Sequence, residues 1–170
     1  PFVYNGSAFT PCSASVIGAG GLNESLTVNY TDNTNAGTAN ASASYAGDDN
    51  HTGSSDSENF TIGQASSTTT VTCDAGPFVY NGSAFTPCSV TVTGAGGLNL
   101  TPNANYSNNV NAGTALASYT YAGDVNHTGS SDSENFTINK ADSTTVVSCD
   151  AGPFVYNGSA FTPCSASVIG

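Results

Sequence analysis

The sequence predicts an all-β protein made of tandem β-sandwich domains, and three observations support this fold class. The chain repeats itself, its apolar residues alternate with polar ones, and its cysteines recur at a fixed spacing. Alternation with a period of two gives a strand one buried face and one wet face, whereas an amphipathic helix requires a period near 3.6. Each repeat is therefore expected to fold as one small β domain without helices.

The repeat has a period of 76 residues, and the first two copies are identical at 56 of 76 aligned positions. Residues 153–170 match residues 1–18 without a difference, whereas residues 90–93 read Val-Thr-Val-Thr where both counterparts read Ala-Ser-Val-Ile. The repeating unit is therefore either one domain or a pair of alternating domains. Two landmarks set the register: PFVYNGSAFTPCS from Pro1, Pro77 and Pro153, and NHTGSSDSENFTI from Asn50 and Asn126.

The domain boundaries follow from this register. Residues 65–140 are expected to form one complete domain, residues 1–64 a domain that lacks its first strand, and residues 141–170 the start of a third. Both ends of the chain fall inside repeats, so the sequence is expected to be a window from a longer array. One long polypeptide is the preferred interpretation, and strand donation between shorter chains is the alternative. Short junctions between domains favour a semi-rigid rod.

Alternation and turn residues place the strands of the complete repeat. Val90 and Val92 alternate with threonines, and Phe136 and Ile138 alternate with polar residues. Asn81-Gly82 is expected to form a tight hairpin turn, and glycines break the chain elsewhere. Six or seven short strands separated by such turns are typical of a sandwich. The predicted strands lie near 67–73, 77–80, 83–92, 103–107, 114–121 and 131–138.

Five cysteines point to disulfide bonds in an oxidising compartment. Cys73 and Cys88 enclose the same sixteen-residue sequence as Cys149 and Cys164. A domain of this size needs more than its core for stability, and closing such a loop contributes about 3 kcal/mol. Cys12 corresponds to Cys88, so its partner is expected outside the given sequence. Bridges between chains are the open alternative, and zinc is disfavoured because no CxxC pair is present.

The charge balance excludes several classes of partner. One basic residue against twelve acidic ones gives a formal net charge of -11. Nucleic acid and anionic membranes select for basic patches, so neither is an expected partner. No segment approaches the ~20 apolar residues of a membrane-spanning helix, so membrane insertion is not expected. The predicted location is extracellular or at the cell surface, and no cofactor is expected.

Four motifs carry a resemblance to a known family. Tyr-Asn-Gly, Asn-Ala-Gly-Thr-Ala, Tyr-Ala-Gly-Asp-x-Asn-His and Asn-Phe-Thr-Ile follow one another in the repeat. In this order they resemble the bacterial immunoglobulin-like repeats of large surface and adhesin-type proteins, over essentially the whole chain. The resemblance implies an extracellular, tandem immunoglobulin-like module that serves as stalk, spacer or fibre. The motifs bear on fold more than on ligand, and the cysteine pair departs from the family because not every such repeat carries one.

No convincing catalytic constellation is present, so the chain is not expected to be an enzyme. A Ser-His-Asp hydrolase needs a nucleophile elbow and an oxyanion-hole loop, and the Gly-rich turn around each histidine offers neither. Isopeptide cross-links would require a lysine in every domain, but Lys140 aligns with Gln64. The residues considered for a triad are His51, Ser54 and Asp56 in the first copy and His127, Ser130 and Asp132 in the second.

A weak calcium candidate lies in the oxygen-rich segment 47–58, because hard cations bind carboxylate oxygens. Its ligands would be Asp48, Asp49, Asp56 and Glu58. The order of these residues is not that of an EF-hand, and Val125 replaces Asp49 in the second copy. A solvated turn is therefore the preferred interpretation, and no metal is expected.

Twelve Asn-x-Ser/Thr sequons make glycosylation a candidate modification, since several fall on turns or on outward strand faces. The alternative is that an Asn- and Thr-rich β surface generates sequons that are not used, which is the better interpretation for a bacterial source. The asparagines are Asn5, Asn23, Asn29, Asn40, Asn50, Asn59, Asn81, Asn99, Asn105, Asn126, Asn135 and Asn157.

The predicted function is a structural repeat of an extracellular filament or cell-surface stalk, whose main partner is its own kind. The alternative is an adhesin repeat that binds a glycan or surface ligand, although no cluster of exposed loop aromatics supports it. Differences between the copies also suggest a contact face toward another chain or domain. The second copy there carries Leu100, Val110, Leu116 and Val125 in place of Glu24, Thr34, Asn40 and Asp49.

Overall fold

The computed structural model describes all 170 residues and is all-β, as predicted. Its helical segments are two single 3-10 turns, Ala19–Gly21 and Ala95–Gly97, each with a central glycine in the left-handed region. No helix is long and apolar enough to span a membrane. The strands of the first repeat are β1 (Phe2–Val3), β2 (Ala14–Ile17), β3 (Asn23–Leu26), β4 (Asn29–Thr31), β5 (Gly37–Gly47) and β6 (Thr52–Gly63).

The second repeat carries the same elements 76 residues later, together with a strand that precedes them. This extra strand is β7, and its counterpart in the third repeat is β14. The remaining strands are β7 (Ser67–Cys73), β8 (Phe78–Val79), β9 (Cys88–Gly94), β10 (Asn99–Leu100), β11 (Asn105–Ser107), β12 (Gly113–Gly123), β13 (Thr128–Asn139), β14 (Thr144–Cys149) and β15 (Cys164–Ile169).

The first repeat forms two sheets. One has the order β1-β6-β5-β4, with β1 parallel to β6 and the other pairs antiparallel. The second contains only the antiparallel pair β2–β3. Alternate residues of these strands are buried, among them Val16, Ala41 and Ile62, while the Phe60 ring packs edge-on against Phe2. Period-two alternation therefore produces the buried face that it predicts.

The second repeat has the corresponding sheets, with orders β10-β9-β7 and β11-β12-β13-β8. In the first of these, β9 lies in the centre and is antiparallel to both neighbours, and its residues Val90 and Val92 are buried. In the second, β8 is parallel to β13. Two sheets in the complete repeat are consistent with the β-sandwich class.

Residues beyond the second repeat form one antiparallel hairpin. β14 and β15 pair from Thr144 opposite Ile169 to Cys149 opposite Cys164. Every residue of both strands is exposed, because no second sheet covers either face of this hairpin.

The chain forms two compact units. One comprises Pro1–Asp74, Pro87–Asn105 and Ala117–Glu134, and it contains the whole first repeat with β7 and β9. The other comprises Ala75–Thr86, Tyr106–Leu116 and Asn135–Gly170. Its Phe78 ring packs against Phe85 and Phe136. The predicted domain boundaries at residues 64 and 140 stay predictions.

The structure confirms all six predicted strands of the complete repeat, with shifted ends in all but β7, and adds β10, which is too short to give an alternation pattern. The predicted hairpin at Asn81-Gly82 is wrong. A turn is present, since Gly82 has a φ of +79° and the Ser83 N–H donates to Asn81 Oδ1 at 2.9 Å. However, β8 and β9 belong to different sheets, and the Phe85 N–H bonds to the Asn109 carbonyl instead.

Candidate functional site

Both predicted disulfide bonds are present, and each joins the end of one strand to the start of its partner. Cys73–Cys88 closes the β7–β9 pair, and Cys149–Cys164 closes the β14–β15 pair. Cys12 is a free, half-buried thiol. That its partner lies outside the given sequence stays a prediction.

The main chain of Cys12 makes two hydrogen bonds to one side chain. Its N–H donates to the Tyr30 hydroxyl at 2.8 Å, and this hydroxyl donates back to the Cys12 carbonyl at 2.9 Å. Two bonds to one ring fix the backbone just before β2. The thiol therefore lies next to the start of β2. This position is equivalent to that of Cys88 at the start of β9.

Alternate side chains of β13 reach the outer edge of β7, and we call these three side chains, Ser130, Asp132 and Glu134, the closing ladder. The two carboxylates accept main-chain N–H groups of β7, and the hydroxyl bonds to a threonine side chain. Hydrogen bonds to ionised acceptors are stronger than those to neutral acceptors. Here they also satisfy main-chain N–H groups that an edge strand would otherwise leave unpaired. The pairs are Ser130 with Thr69, Asp132 with Val71 and Glu134 with Cys73, at 2.7, 2.8 and 2.9 Å.

The first repeat carries the same ladder residues, Ser54, Asp56 and Glu58, on β6, but β2 pairs only with β3 and no strand takes the place of β7. Two hollows are lined by these residues together with residues of β2. One is lined by Cys12, Asp56 and Glu58, and the other by Val16 and Ser54 among others. We call this the open groove, and it occupies the position that β7 fills in the second repeat.

The Asp-x-Asn-His turn between β12 and β13 is held by its own aspartate. Asp124 accepts the N–H groups of Asn126 and His127 at 2.7 Å each, and the Tyr121 hydroxyl at 2.8 Å. Burial opposes ionisation of this carboxyl, but the hydrogen bonds outweigh it and lower its pKa to about 2. Gly123, with a φ of +90°, provides the turn, since a Cβ there would meet the facing backbone.

His127 is buried, and both ring nitrogens face acceptors. Nε2 lies 2.9 Å from the Ala95 carbonyl, and Nδ1 lies 2.9 Å from the Asp124 carboxylate. Because a carbonyl and a carboxylate only accept, the doubly protonated ring makes both bonds and the neutral ring makes one. The Ala95 carbonyl above all, with Asp124, raises the pKa of His127, although burial opposes this.

The same turn of the second repeat contacts the first repeat. The Asn126 side chain accepts the Ala36 N–H at 2.9 Å and donates to the Asn35 side chain at 3.1 Å. The Tyr4 ring stands edge-on to His127, with ring centroids 5.3 Å apart. Tyr4 also lies against Gly96, where any Cβ would overlap it.

The segment that joins these two repeats is pinned to the same turn. The Gln64 amide donates to the Asp124 carbonyl at 2.7 Å, and Ala65 pairs in parallel with His127. Ala65 is buried, and the Thr128 N–H donates to its carbonyl at 2.9 Å. The junction is therefore an ordered contact built around the Asp-x-Asn-His turn.

The candidate catalytic residues do not form a triad. His127 bonds to Asp124 and the Ala95 carbonyl, whereas Ser130 and Asp132 bond to β7. In the first repeat, His51 bonds to Asp48 at 2.9 Å and to the Ala19 carbonyl at 2.9 Å. The serines and aspartates named by the sequence belong to the closing ladder and its counterpart.

The calcium candidates are not brought together. Asp48 accepts the N–H groups of Asn50 and His51 at 2.8 and 2.7 Å, while Asp56 and Glu58 lie along β6. No group of three or more acidic, histidine or cysteine side chains in the structure is arranged to hold a metal ion. The bond from the Asn50 N–H is the main reason that the pKa of Asp48 falls to about 2.

Ten of the twelve sequon asparagines are exposed, and Asn40 and Asn126 are half-buried. Because both Asn126 side-chain atoms bond to the first repeat, a glycan at this position would break the junction. Glycosylation at the other positions stays a prediction. Of the residues proposed as a contact face, Leu100, Val110 and Val125 are exposed at 43%, 37% and 65%, and Leu116 is half-buried.

The closing ladder and the side-chain contacts at the junction were not predicted from the sequence, which indicated only that the junctions are short. The ladder does leave a signal, since Ser54, Asp56 and Glu58 share one face of a strand and recur unchanged in the second repeat. No protein-family model, curated protein or solved structure shows significant similarity to the chain.

Proposed function

We propose that this chain is a structural repeat of an extracellular filament or cell-surface stalk, and that its domains are immunoglobulin-like sandwiches whose main partner is their own kind. The observation that carries the proposal is the junction between the first and second repeats. Apart from Gln64, whose counterpart in the next repeat is Lys140, it is made by residues that recur in every repeat. A contact with this property can be repeated without limit along an array.

The recurrence can be followed residue by residue. On the leading side, Tyr4 recurs as Tyr80 and Tyr156. On the receiving side, Asn126 and His127 recur as Asn50 and His51. Each repeat thus carries one half of a junction for the repeat before it and the other half for the repeat after it.

The topology of the second repeat supports an immunoglobulin-like arrangement. Seven strands divide between two sheets, with β7 in one and β8 in the other, parallel to the last strand β13. Small sandwiches of this kind act as spacers when their junctions are short. Gln64 and Ala65 leave little free chain between the repeats, because both bond to the next one.

The disulfide bonds support an extracellular location, since such bonds persist in oxidising compartments. The strongly acidic composition also favours surface exposure over association with nucleic acid. An array outside the cell benefits from covalent staples, because small domains bury too little surface to resist unfolding by their cores alone.

Cryo-electron microscopy of native material tests this proposal. We expect continuous fibres or rods whose axial repeat corresponds to one domain or to a pair of domains. Beaded rods that never associate would favour the adhesin stalk, and globular particles without an axial repeat would contradict the proposal.

A junction variant provides the matched control. Asn126→Ala removes the side chain that bonds to Ala36, whereas Asn50→Ala changes the equivalent residue, which makes no such contact in this chain. Hydrogen exchange at Ala36 and Thr128 should accelerate in the first variant and stay unchanged in the second. Equal exchange in both variants would show that the junction is not an ordered contact.

A further inference from the structure

The sheet β1-β6-β5-β4 of the first repeat has one face toward the core and one toward solvent. Ala39, Ala41 and Ile62 are buried on the core side, and strand residues alternate between the two sides. We call the solvent side of β4, β5 and β6 the outer face. It carries no charged residue in a chain whose formal net charge is -11. Its residues bear hydroxyl and amide groups: Asn29, Thr31, Thr38, Asn40, Ser42, Ser44, Ser55, Ser57, Asn59 and Thr61.

Three Asn-x-Ser/Thr sequons lie within the outer face. A sequon spaces its asparagine and its hydroxyl residue by two positions, so a strand presents both on the same side. The second repeat carries two of these sequons at equivalent positions and has Leu116 in place of Asn40. The sequons are Asn29 with Thr31, Asn40 with Ser42, and Asn59 with Thr61, followed in the second repeat by Asn105 with Ser107 and Asn135 with Thr137.

Hydrogen bonds distinguish the sequons that can carry a sugar from those that cannot. An N-linked sugar is attached to the side-chain nitrogen of asparagine, Nδ2. Asn40 is half-buried and its Nδ2 donates to Asn59 Oδ1 at 2.9 Å, and Nδ2 of Asn126 donates to Asn35 within the junction. The bond from Asn40 engages only the oxygen of Asn59, so the Asn59 nitrogen is left for a sugar. The asparagines of the other sequons in these sheets are exposed, as is Asn59: Asn29, Asn105 and Asn135.

The surroundings of Asn29 suit a sugar that carries no charge. A shallow hollow beside Asn29 is lined by Ser42, Ser44, Ser55 and Ser57 among others. A serine hydroxyl both donates and accepts hydrogen bonds, and the hydroxyls of a sugar do the same. A sugar on Asn29 can therefore bond to the serines of the outer face.

We propose that Asn29, Asn59, Asn105 and Asn135 are N-glycosylated and that Asn40 and Asn126 are not. The donor is a glycosyl diphosphate, and a glycosyltransferase of the secreting cell catalyses the transfer. The asparagine nitrogen forms a bond to the anomeric carbon of the sugar. The bond from that carbon to the diphosphate oxygen breaks, the diphosphate leaves with the electron pair, and the nitrogen gives up one proton to a base of the transferase.

Sugars at these positions restrict how copies of the chain can meet. Asn29 lies on β4 and Asn105 on β11, and each of these strands is at the edge of its sheet. Exposed edge strands can pair with other chains, and a bulky hydrophilic group beside an edge prevents this approach. Asn126 stays unmodified, so the junction remains open to end-to-end contact. Arrays therefore extend along their length without joining side by side.

The inference rests on the proposed function for the extracellular location and for the end-to-end arrays, and its test uses native material. The material is digested with chymotrypsin, and the peptides are sequenced by mass spectrometry with electron-transfer fragmentation, which leaves a sugar on its residue. Cleavage after aromatic residues gives peptides that include residues 46–60 and 122–136, which differ at one position and so in mass. Each peptide contains one turn sequon and one sheet sequon, Asn50 and Asn59 in the first and Asn126 and Asn135 in the second.

We expect a sugar on Asn59 and Asn135 in most copies and none on Asn126, and peptides with Asn29 and Asn105 are analysed in the same way. Unmodified asparagines at these four sheet positions would overturn the proposal, as would a sugar on Asn126. Fibres of native material without sugars would overturn this inference and leave the proposed function intact. Sugars at the expected positions on a protein that forms no fibres would contradict the proposed function instead.

A matched pair of threonine variants tests the assignment in the cells that secrete the protein. Thr61→Ala removes the sequon of Asn59 but keeps the asparagine, whereas Thr38→Ala changes the residue directly opposite, which belongs to no sequon. Both threonines are exposed. The sugar on Asn59 should be lost in the first variant, kept in the second, and kept in Thr61→Ser. Its persistence in Thr61→Ala, or its loss in Thr38→Ala, would show that the sequon does not direct the modification.

Discussion

The β7–β9 and β14–β15 hairpins have the same pairing and differ in what covers them. Cys73 lies opposite Cys88 and Val71 opposite Val90, and the later hairpin repeats this register 76 residues on. Yet Val92 is fully buried and its counterpart Val168 is 70% exposed. Strand pairing and the disulfide bond are therefore local products of the sequence, whereas burial depends on a second sheet.

The comparison separates two sources of stability in one protein. A disulfide restricts the unfolded chain in either hairpin, but only β7–β9 has a folded core to which this restriction can contribute. A two-stranded hairpin without a covering layer is marginal in water. Matched substitutions in the two hairpins therefore measure the contribution of the covering sheet.

Removal of the first disulfide should have the largest effect. Cys73→Ser with Cys88→Ser is expected to lower the free energy of unfolding by about 3 kcal/mol, because the unfolded chain regains the freedom of an open loop. The same change at Cys149 and Cys164 should leave the main unfolding transition unchanged, since no core depends on that hairpin. Urea denaturation followed by circular dichroism measures both. Equal losses would mean that the later hairpin also contributes to the main fold.

Truncation of one valine in each hairpin should give the next largest effect. Val92→Ala removes buried methyl groups and is expected to cost about 2 kcal/mol, from lost transfer free energy and the cavity left behind. Val168→Ala, at the equivalent exposed position, should change stability by less than about 0.5 kcal/mol. The same urea denaturation experiment measures both variants. A similar loss in the free energy of unfolding at both sites would show that β15 is covered in solution.

The parts of the fold that sequence analysis predicted are those that depend on neighbouring residues. Alternation around Val90 and Val92 located β9, and the spacing of Cys73 and Cys88 located the disulfide. β10 was missed because two residues are too few to alternate. Asn81-Gly82 was misassigned because its turn chemistry is local, whereas the choice of partner strand is made by distant contacts such as that of Phe85 with Asn109.

The candidate site was less predictable because its contacts join distant positions. Val71 and Asp132 are 61 residues apart, and Ala36 and Asn126 are 90 apart. From sequence, Asp56 and Glu58 were considered as calcium ligands because acidic residues near a turn have several possible uses. The structure shows a different use for their counterparts in the second repeat. Two carboxylates that are two residues apart on one strand can accept the N–H groups of an adjacent edge strand.

The smallest expected effect distinguishes the two Asp-x-Asn-His turns by pH. The pKa of His127 and that of His51 are both raised, in each case chiefly by a backbone carbonyl, Ala95 or Ala19, with the adjacent aspartate contributing. A raised folded pKa means that the stabilisation is complete below about pH 6.5, the unfolded value, and is lost as the pH rises through the folded value. Stability should therefore fall modestly between about pH 6.5 and the folded pKa values.

Imidazole NMR titrations give the two pKa values, and urea midpoints across the same range give the stability. His127→Gln should flatten the pH dependence more than His51→Gln, because the His127 side chain is 5% exposed and also packs on Tyr4, whereas that of His51 is 24% exposed. Midpoints that rise with pH would contradict the protonated geometry. Equal flattening by the two variants would mean that the contact with the preceding repeat adds nothing to the ion pair, which would weaken the junction as the basis of an ordered array.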